Sequence, residues 1–345
     1  MKEKVFLFLI LTLIVFLFID LGFNLDRSLA PIKKYPPYIK GVYLTSWTAA
    51  DSKKMAHFLS LIKETELNAV VIDIKEVDGK VVFDTIIPNL KEIIEKLHQE
   101  NIYTIARIVV FKDNLFPKIK PELALKNKWG GLWRDWVGKT WLDPASKEVW
   151  DYHIEIAKEA VKIGFDEINF DYIRFPSDGN ISTIVYPVWD EKLSKPEVIR
   201  EFFKYINEQL KPIGVFLSAD LFGLTLWNEE NFDMNIGQIL EYALPYFDFI
   251  CPMVYPSHYP EGFEGYKNPA AHPYEIIKPN LEKGKFRMFD TEAKLRPWLQ
   301  DFDLGAIYNK KMIELQKQAV YDTDSYGWLL WNSASRYTEE AIVHD

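Results

Sequence analysis

One cysteine, Cys251, stands in a chain of 345 residues, so a disulfide within the chain is excluded. Thiolate zinc sites and iron–sulfur clusters are excluded with it. Histidine is scarce as well: the six residues lie far apart and form no HExxH or HxH pair, so no metal site is expected. Clustered positive charge is missing. The net charge is −9 with no Lys/Arg block, which makes nucleic acid a poor partner. No GxGxxG or GxxxxGK[ST] follows a strand-like run, so neither dinucleotide nor P-loop binding is supported, and no organic cofactor is implied. A fixed-period repeat is absent too. Aromatic residues, by contrast, are plentiful at 15%, with 11 Trp and 18 Tyr. They serve either as large core residues or as stacking surface for a ligand with flat apolar faces, such as a sugar.

The only long apolar run is at the N-terminus. Lys2 and Lys4 precede a stretch from Val5 to Ile19 broken only by Thr12. Fifteen helical residues span roughly 22 Å, short of the roughly 30 Å hydrocarbon core and at the upper edge of a signal-peptide apolar region. Ser28-Leu29-Ala30 offers a small-residue cleavage site, and an uncleaved membrane anchor is the other reading of residues 1–30. A buried core helix is a third reading, disfavoured because the run is not amphipathic. Export is expected either way, giving an extracytoplasmic protein, secreted or membrane-anchored. Residues 31–39 read as a linker, and 40–340 as the folded domain.

From residue 41 the chain alternates short β-rich runs with helical stretches. The β-rich runs are "GVYLTSW", "NAVVIDIK", "IYTIARIVVF", "EINFDYIRFP", "VFLSADLFG", "DFICPMVYP", "KLRPWLQDF" and "GWLLWNS". Near-continuous apolar runs separated by helices indicate a parallel sheet covered on both faces. Eight such units in about 300 residues predict an α/β (β/α)8 TIM barrel rather than an open sheet. Two segments interrupt the alternation. Residues 112–146 follow the third strand and hold Trp129, Trp133, Trp136 and Trp141. Residues 256–290 follow the sixth. Both leave strand C-termini, the face where barrel enzymes keep their sites.

Polar residues gather at those strand ends. The second run gives Asp73 and Lys75, and the third Arg107. The fourth gives Asp171 and Arg174, the fifth Asp220 and the sixth Tyr255. The seventh gives Arg296, Trp298, Gln300 and Asp301, and the eighth Trp331 and Asn332. Buried charges need partners, so structural pairs such as Asp73–Arg107 or Asp171–Arg174 are one explanation. Acids on four strands beside a Trp-rich loop point instead to catalysis. Glycoside hydrolysis needs two carboxyl groups flanking the scissile bond, one as acid and one as nucleophile or base. Trp133 and Trp136 are expected to stack on the sugar.

In order, "GVYLTSW", "VVIDIK", "WLDPAS", "EINFDYIRFPSDG", "FLSADLFG", "CPMVYPSHY", "RPWLQDF" and "GWLLWN" resemble the exported glycosyl hydrolase domain family, grouped with α-amylase-like TIM barrels. The resemblance covers roughly residues 40–340. It implies that Asp171, at the end of strand four, is the nucleophile. In that group the acid/base lies on strand five as Glu, or after strand six as Asp; here strand five carries the shorter Asp220.

The expected function is therefore hydrolysis of an extracytoplasmic polysaccharide or oligosaccharide, retaining in stereochemistry, by Asp171 and Asp220. Asp73, Lys75, Arg107, Trp133, Trp136, Arg174, Tyr255, Arg296, Trp298, Gln300, Asp301, Trp331 and Asn332 are expected to bind substrate. A non-catalytic carbohydrate-binding or cell-wall-associated module on the same scaffold is the alternative. A transglycosylase would share the site.

Overall fold

The structure, a computed structural model, describes residues 36, 38–83, 85–229 and 231–342. The expected N-terminal hydrophobic segment lies outside the described residues. Eight parallel strands close a barrel: β1 (Ile39–Leu44), β2 (Ala69–Lys75), β3 (Tyr103–Val109), β4 (Glu167–Asp171), β5 (Phe216–Phe222), β6 (Phe249–Met253), β7 and β8 (Gly327–Trp331). Strand β7 comes in two pieces, Lys294–Leu295 and Trp298–Gln300, around Arg296 and Pro297. Proline has no N–H to give the ladder, and the break falls there. The first piece pairs with β6; the second pairs with β8 and, through Trp298 opposite Met253, with β6. That pairing closes the ring, as the alternating pattern predicts.

The apolar runs form strands because both of their faces are covered. Every residue of β2 is buried, charged ones included. Outside lie the amphipathic helices. Helix α1 (Ser52–Glu64) buries Met55, Phe58, Leu61 and Ile62, a spacing of three to four that keeps one face on the barrel. After α2 (Leu90–Gln99), helix α3 (Lys147–Ile163) starts where Ser146 accepts from the Val149 N–H and stops at Gly164, whose φ of +118° a side chain would strain. Helices α4 (Lys195–Leu210), α5 (Pro273–Arg287) and α6 (Lys310–Asp322) continue the ring, with two short helices, Leu224–Trp227 and Leu240–Ala243, in the connection after β5; α4 opens with a Ser194–Glu197 capping box.

Strands four and six end several residues earlier than their apolar runs. "EINFDYIRFP" is extended only to Asp171 and "DFICPMVYP" only to Met253. Ile173, Phe175, Val254 and Tyr255 are buried all the same, in the loops over the barrel mouth. The Trp-rich insertion after β3 is ordered structure. It contains a short helix (Phe116–Ile119) and a strand, Lys126–Asn127, that pairs antiparallel with Ile184–Val185 from the loop after β4.

Candidate active site

Side chains alternate along a strand, so residues two apart share a face. On β4 the inward set is Glu167, Asn169 and Asp171, and on β5 it is Ser218, Asp220 and Phe222. Asn169 stands opposite Ser218 in the ladder, and its amide donates to both Ser218 (2.9 Å) and Asp220 Oδ1 (2.8 Å). One step up each strand lie Asp171 and Asp220, side by side at the mouth. From β3, opposite Asn169, comes Arg107. Its guanidinium bonds Asp73 and Asp171, and its Nε lies 3.9 Å from Asp220 Oδ2. Tyr43 donates to the other Asp73 oxygen. The Arg107 guanidinium also lies 5.0 Å from the centre of the Trp331 ring.

Three carboxyl groups thus share one guanidinium in a buried setting, and the electrostatics follow. Burial drives the Asp220 carboxyl well above the usual range, and the neighbouring Asp171 drives it further; Arg107 and the two N–H donors only partly oppose this. Those donors are Asn169 and Trp298 Nε1 (2.7 Å), both on Oδ1. Asp73 is pushed up to about 6, first by burial and then by Glu76, against the pull of Arg107. Like charges this close cannot all ionise at once.

Above this cluster opens a cavity of about 310 Å³. Of the residues singled out in the sequence, Asp171, Asp220, Arg107, Arg174, Tyr255, Trp298 and Trp331 line it. On a continuous strand Arg174 would face away from Asp171. The strand stops instead at Tyr172, whose φ of +54° is strained for a bulky residue, and the redirected chain carries Arg174 back to the cavity. Asp73 lies beneath Arg107, outside the lining.

The other expected binding residues are elsewhere. Lys75, fully buried, pairs with Asp113 (2.8 Å) and the Val109 carbonyl (2.8 Å). Arg296, also fully buried, pairs with Glu167 at the start of β4, deep in the barrel. Gln300 ties β7 to Gln316 and Ser257. Asp301 accepts from the Thr338 N–H and hydroxyl, and Asn332 donates to the Asp301 carbonyl, so both fasten the chain after β8. Trp133 is 1% exposed, packed on Gly179 and bonded to the Asn180 carbonyl (3.1 Å): a core residue of the insertion, where a stacking surface was expected. Trp136, 76% exposed, stands clear of the cavity lining, but its N–H reaches Asp178, which is part of that lining.

Sequence reasoning passed over Tyr172, Ser177, Asp178, Phe222, Met253 and His258, which also line the cavity. Asn169 and Tyr43, which hold the acids, were missed too. Period-two spacing from Asp171 would have found Asn169, and the Ser177-Asp178-Gly179 turn was in plain view. Among the described residues no three His, Cys, Asp or Glu side chains are placed to hold a metal ion.

An acid-mouthed (β/α)8 barrel is the class that the fold and this cluster define. The chain belongs to the family described as "Putative glycosyl hydrolase domain", whose model matches residues 41–337. No curated protein matches the chain. A hypothetical protein from Ruminiclostridium thermocellum is 44% identical over 52% of this chain and 96% of that one, with a TM-score of 0.47. The PgaB (BpsB) glycoside hydrolase domain from Bordetella bronchiseptica superposes with a TM-score of 0.65 at 14% identity, covering 90% of this chain and all of that one. An α-galactosidase from Thermus thermophilus in complex with stachyose gives 0.56 at 12% identity, over 89% and 64%. The last two share the fold.

Proposed function

We propose that the protein is a retaining glycoside hydrolase acting on a polysaccharide or oligosaccharide. One observation carries the reading: Asp171 and Asp220 are lateral neighbours at the mouth, both within reach of one guanidinium. Adjacent strands lie about 4.8 Å apart, which suits the roughly 5–5.5 Å carboxyl separation of retaining enzymes better than the 6.5–9.5 Å of inverting ones. Asp171 attacks the anomeric carbon. Asp220, kept protonated by burial and by Asp171, gives its proton to the leaving oxygen. Both N–H donors occupy Oδ1, so Oδ2 is the oxygen left to carry that proton. Water deprotonated by Asp220 then releases the sugar from Asp171, with net retention. Tyr255, Trp298 and Trp331 wall the sugar, and the exposed Trp136, whose backbone N–H meets Asp178 of the lining, extends the surface along a longer glycan.

The test is a panel of α- and β-linked glycans with detection of new reducing ends, followed by NMR of the first-formed anomer. Binding without released ends would leave a carbohydrate-binding module, and an inverted product would exclude Asp171 as nucleophile. We also propose that Val5 to Ile19 directs export. Replacing Leu11 and Ile14 with Arg costs about 2.5–3.5 kcal/mol of insertion each and should hold the chain in the cytoplasm; unchanged fractionation would refute this.

A further inference from the structure

The cavity contains two guanidinium groups, and they are in opposite situations. Arg107 is saturated with carboxylates. Arg174 is 6% exposed, yet among the described residues it has no carboxylate within 4 Å, and its one acceptor there is the Phe175 carbonyl (3.0 Å). Aromatic rings cover it: Phe222 at 4.6 Å, Trp141 at 5.0 Å and Tyr172 at 5.2 Å from guanidinium carbon to ring centre. Rings satisfy the flat faces of a guanidinium. They leave its edge, five N–H donors in one plane, which needs in-plane oxygen acceptors.

The nearby acids do not supply them. Asp171 is engaged by Arg107 and the Tyr172 N–H. Asp135 is engaged by Lys112 and Trp141. Asp178 accepts from the Trp136 N–H. Asp171, Asp178 and Asp135 act on Arg174 through space but none of them is in ion-pair contact, so a direct partner for its cavity-facing edge is to be sought in what enters the cavity.

We propose that the cavity takes a sugar residue bearing a carboxylate, held at the edge of Arg174. This deepens the hydrolase reading and rests on it for the identity of the ligand as a sugar. A carboxylate presents two coplanar oxygens that match the guanidinium fork. A phosphate dianion fits less well, because among the described residues lining the cavity Arg174 is the one cation without a carboxylate contact, and Asp171, Asp178 and Asp220 line it too.

The experiment is titration calorimetry on the full chain with oligogalacturonate, alginate and glucuronoxylan oligosaccharides, each against its carboxyl-reduced counterpart. For at least one pair the native protein should bind the acid form tenfold or more tightly. That ratio should fall to about one in Arg174→Gln and recover in part in Arg174→Lys, which keeps the charge and loses the fork. Thermal unfolding of each variant identifies any that fail to fold, in which case the native preference and Arg174→Lys decide. No native preference in any pair, or a preference that survives Arg174→Gln, would overturn the proposal. Reducing ends released from the same oligosaccharides separate the two claims. Arg174-dependent binding with no cleavage overturns hydrolysis and leaves the subsite standing. Cleavage of neutral and acidic forms alike does the reverse.

Discussion

The barrel buries two arginine–carboxylate clusters, one at its mouth and one deep inside, and they are balanced differently. In the deep cluster Arg296 meets Glu167 one to one, both fully buried. Charge and counter-charge cancel, and nothing is left to react. At the mouth Arg107 faces Asp73, Asp171 and Asp220 together. The excess of acid cannot be neutralised by one guanidinium, so a proton must stay. The same chemical groups give a balanced tie in one place and an excess of acid in the other, and stoichiometry makes the difference.

The comparison breaks most sharply at Asp171. Asp171→Ala should lower turnover on the order of 10⁴-fold, or about 5 kcal/mol in the barrier, with a modest loss of melting temperature because Arg107 keeps Asp73. Azide should restore activity and give a glycosyl azide of inverted configuration; full turnover without rescue would remove Asp171 from the chemistry. Glu167→Ala should do the opposite. It strands the Arg296 charge and should cost about 3–5 kcal/mol in urea unfolding, whereas Glu167→Leu with Arg296→Met should recover most of it. If the single and double variants are equally unstable, the deep pair is not a closed unit.

A smaller effect sharpens the contrast by titration. The negative Asp171 raises the Asp220 pKa, so removing that charge must lower it. In Asp171→Asn the infrared band of the protonated Asp220 carboxyl should vanish at lower pH than in the native protein. In the native protein, kcat/KM for the proposed hydrolysis should fall as rising pH deprotonates Asp220. A band that does not move would mean the two acids are not coupled.

The smallest effect separates two tryptophans. Trp136→Ala should weaken oligosaccharide binding by on the order of 1 kcal/mol and leave unfolding unchanged. Trp133→Ala should instead cost about 3–5 kcal/mol of stability. Equal effects of both on binding alone would place Trp133 at the surface.

Much of this was legible beforehand, for physical reasons. Strands buried on both faces read as apolar runs, so the eight-fold alternation and most strand starts could be seen, although β1 begins at Ile39, inside the stretch read as linker. Their ends could not, because Ile173, Phe175 and Val254 are as apolar in loops as in strands. Asp171 at the end of β4 and Asp220 two residues before the end of β5 stood out because a buried strand does not tolerate acids unpaired. Which partner each charge chooses is a matter of three-dimensional packing. Lys75 looks like a strand-end ligand and is instead paired with Asp113, and Arg296 looks like its neighbour Trp298 but turns toward Glu167. Trp133 and Trp136 are three residues apart and alike in sequence. Only the close approach of Gly179 shows which is core.

The break in β7 bears on how the molecule breathes. Strands β2 and β3 pair from Ala69 to Lys75 with one register shift after Asp73, whereas the register of β6 with β7 is kept only at Phe249, Ile250 and Met253, with the Arg296 N–H on the Ile250 carbonyl and the Val254 N–H on the Trp298 carbonyl bridging the break. Sub-global opening starts where hydrogen-bonded pairing is thinnest, and amide exchange should be fastest along this seam. Trp298 is the residue that spans it, and its indole holds Asp220. An opening that draws Trp298 away would let water reach the acid and ease its proton off. Under the proposed mechanism, a barrel loosened along this seam would lose its proton donor before it lost its shape.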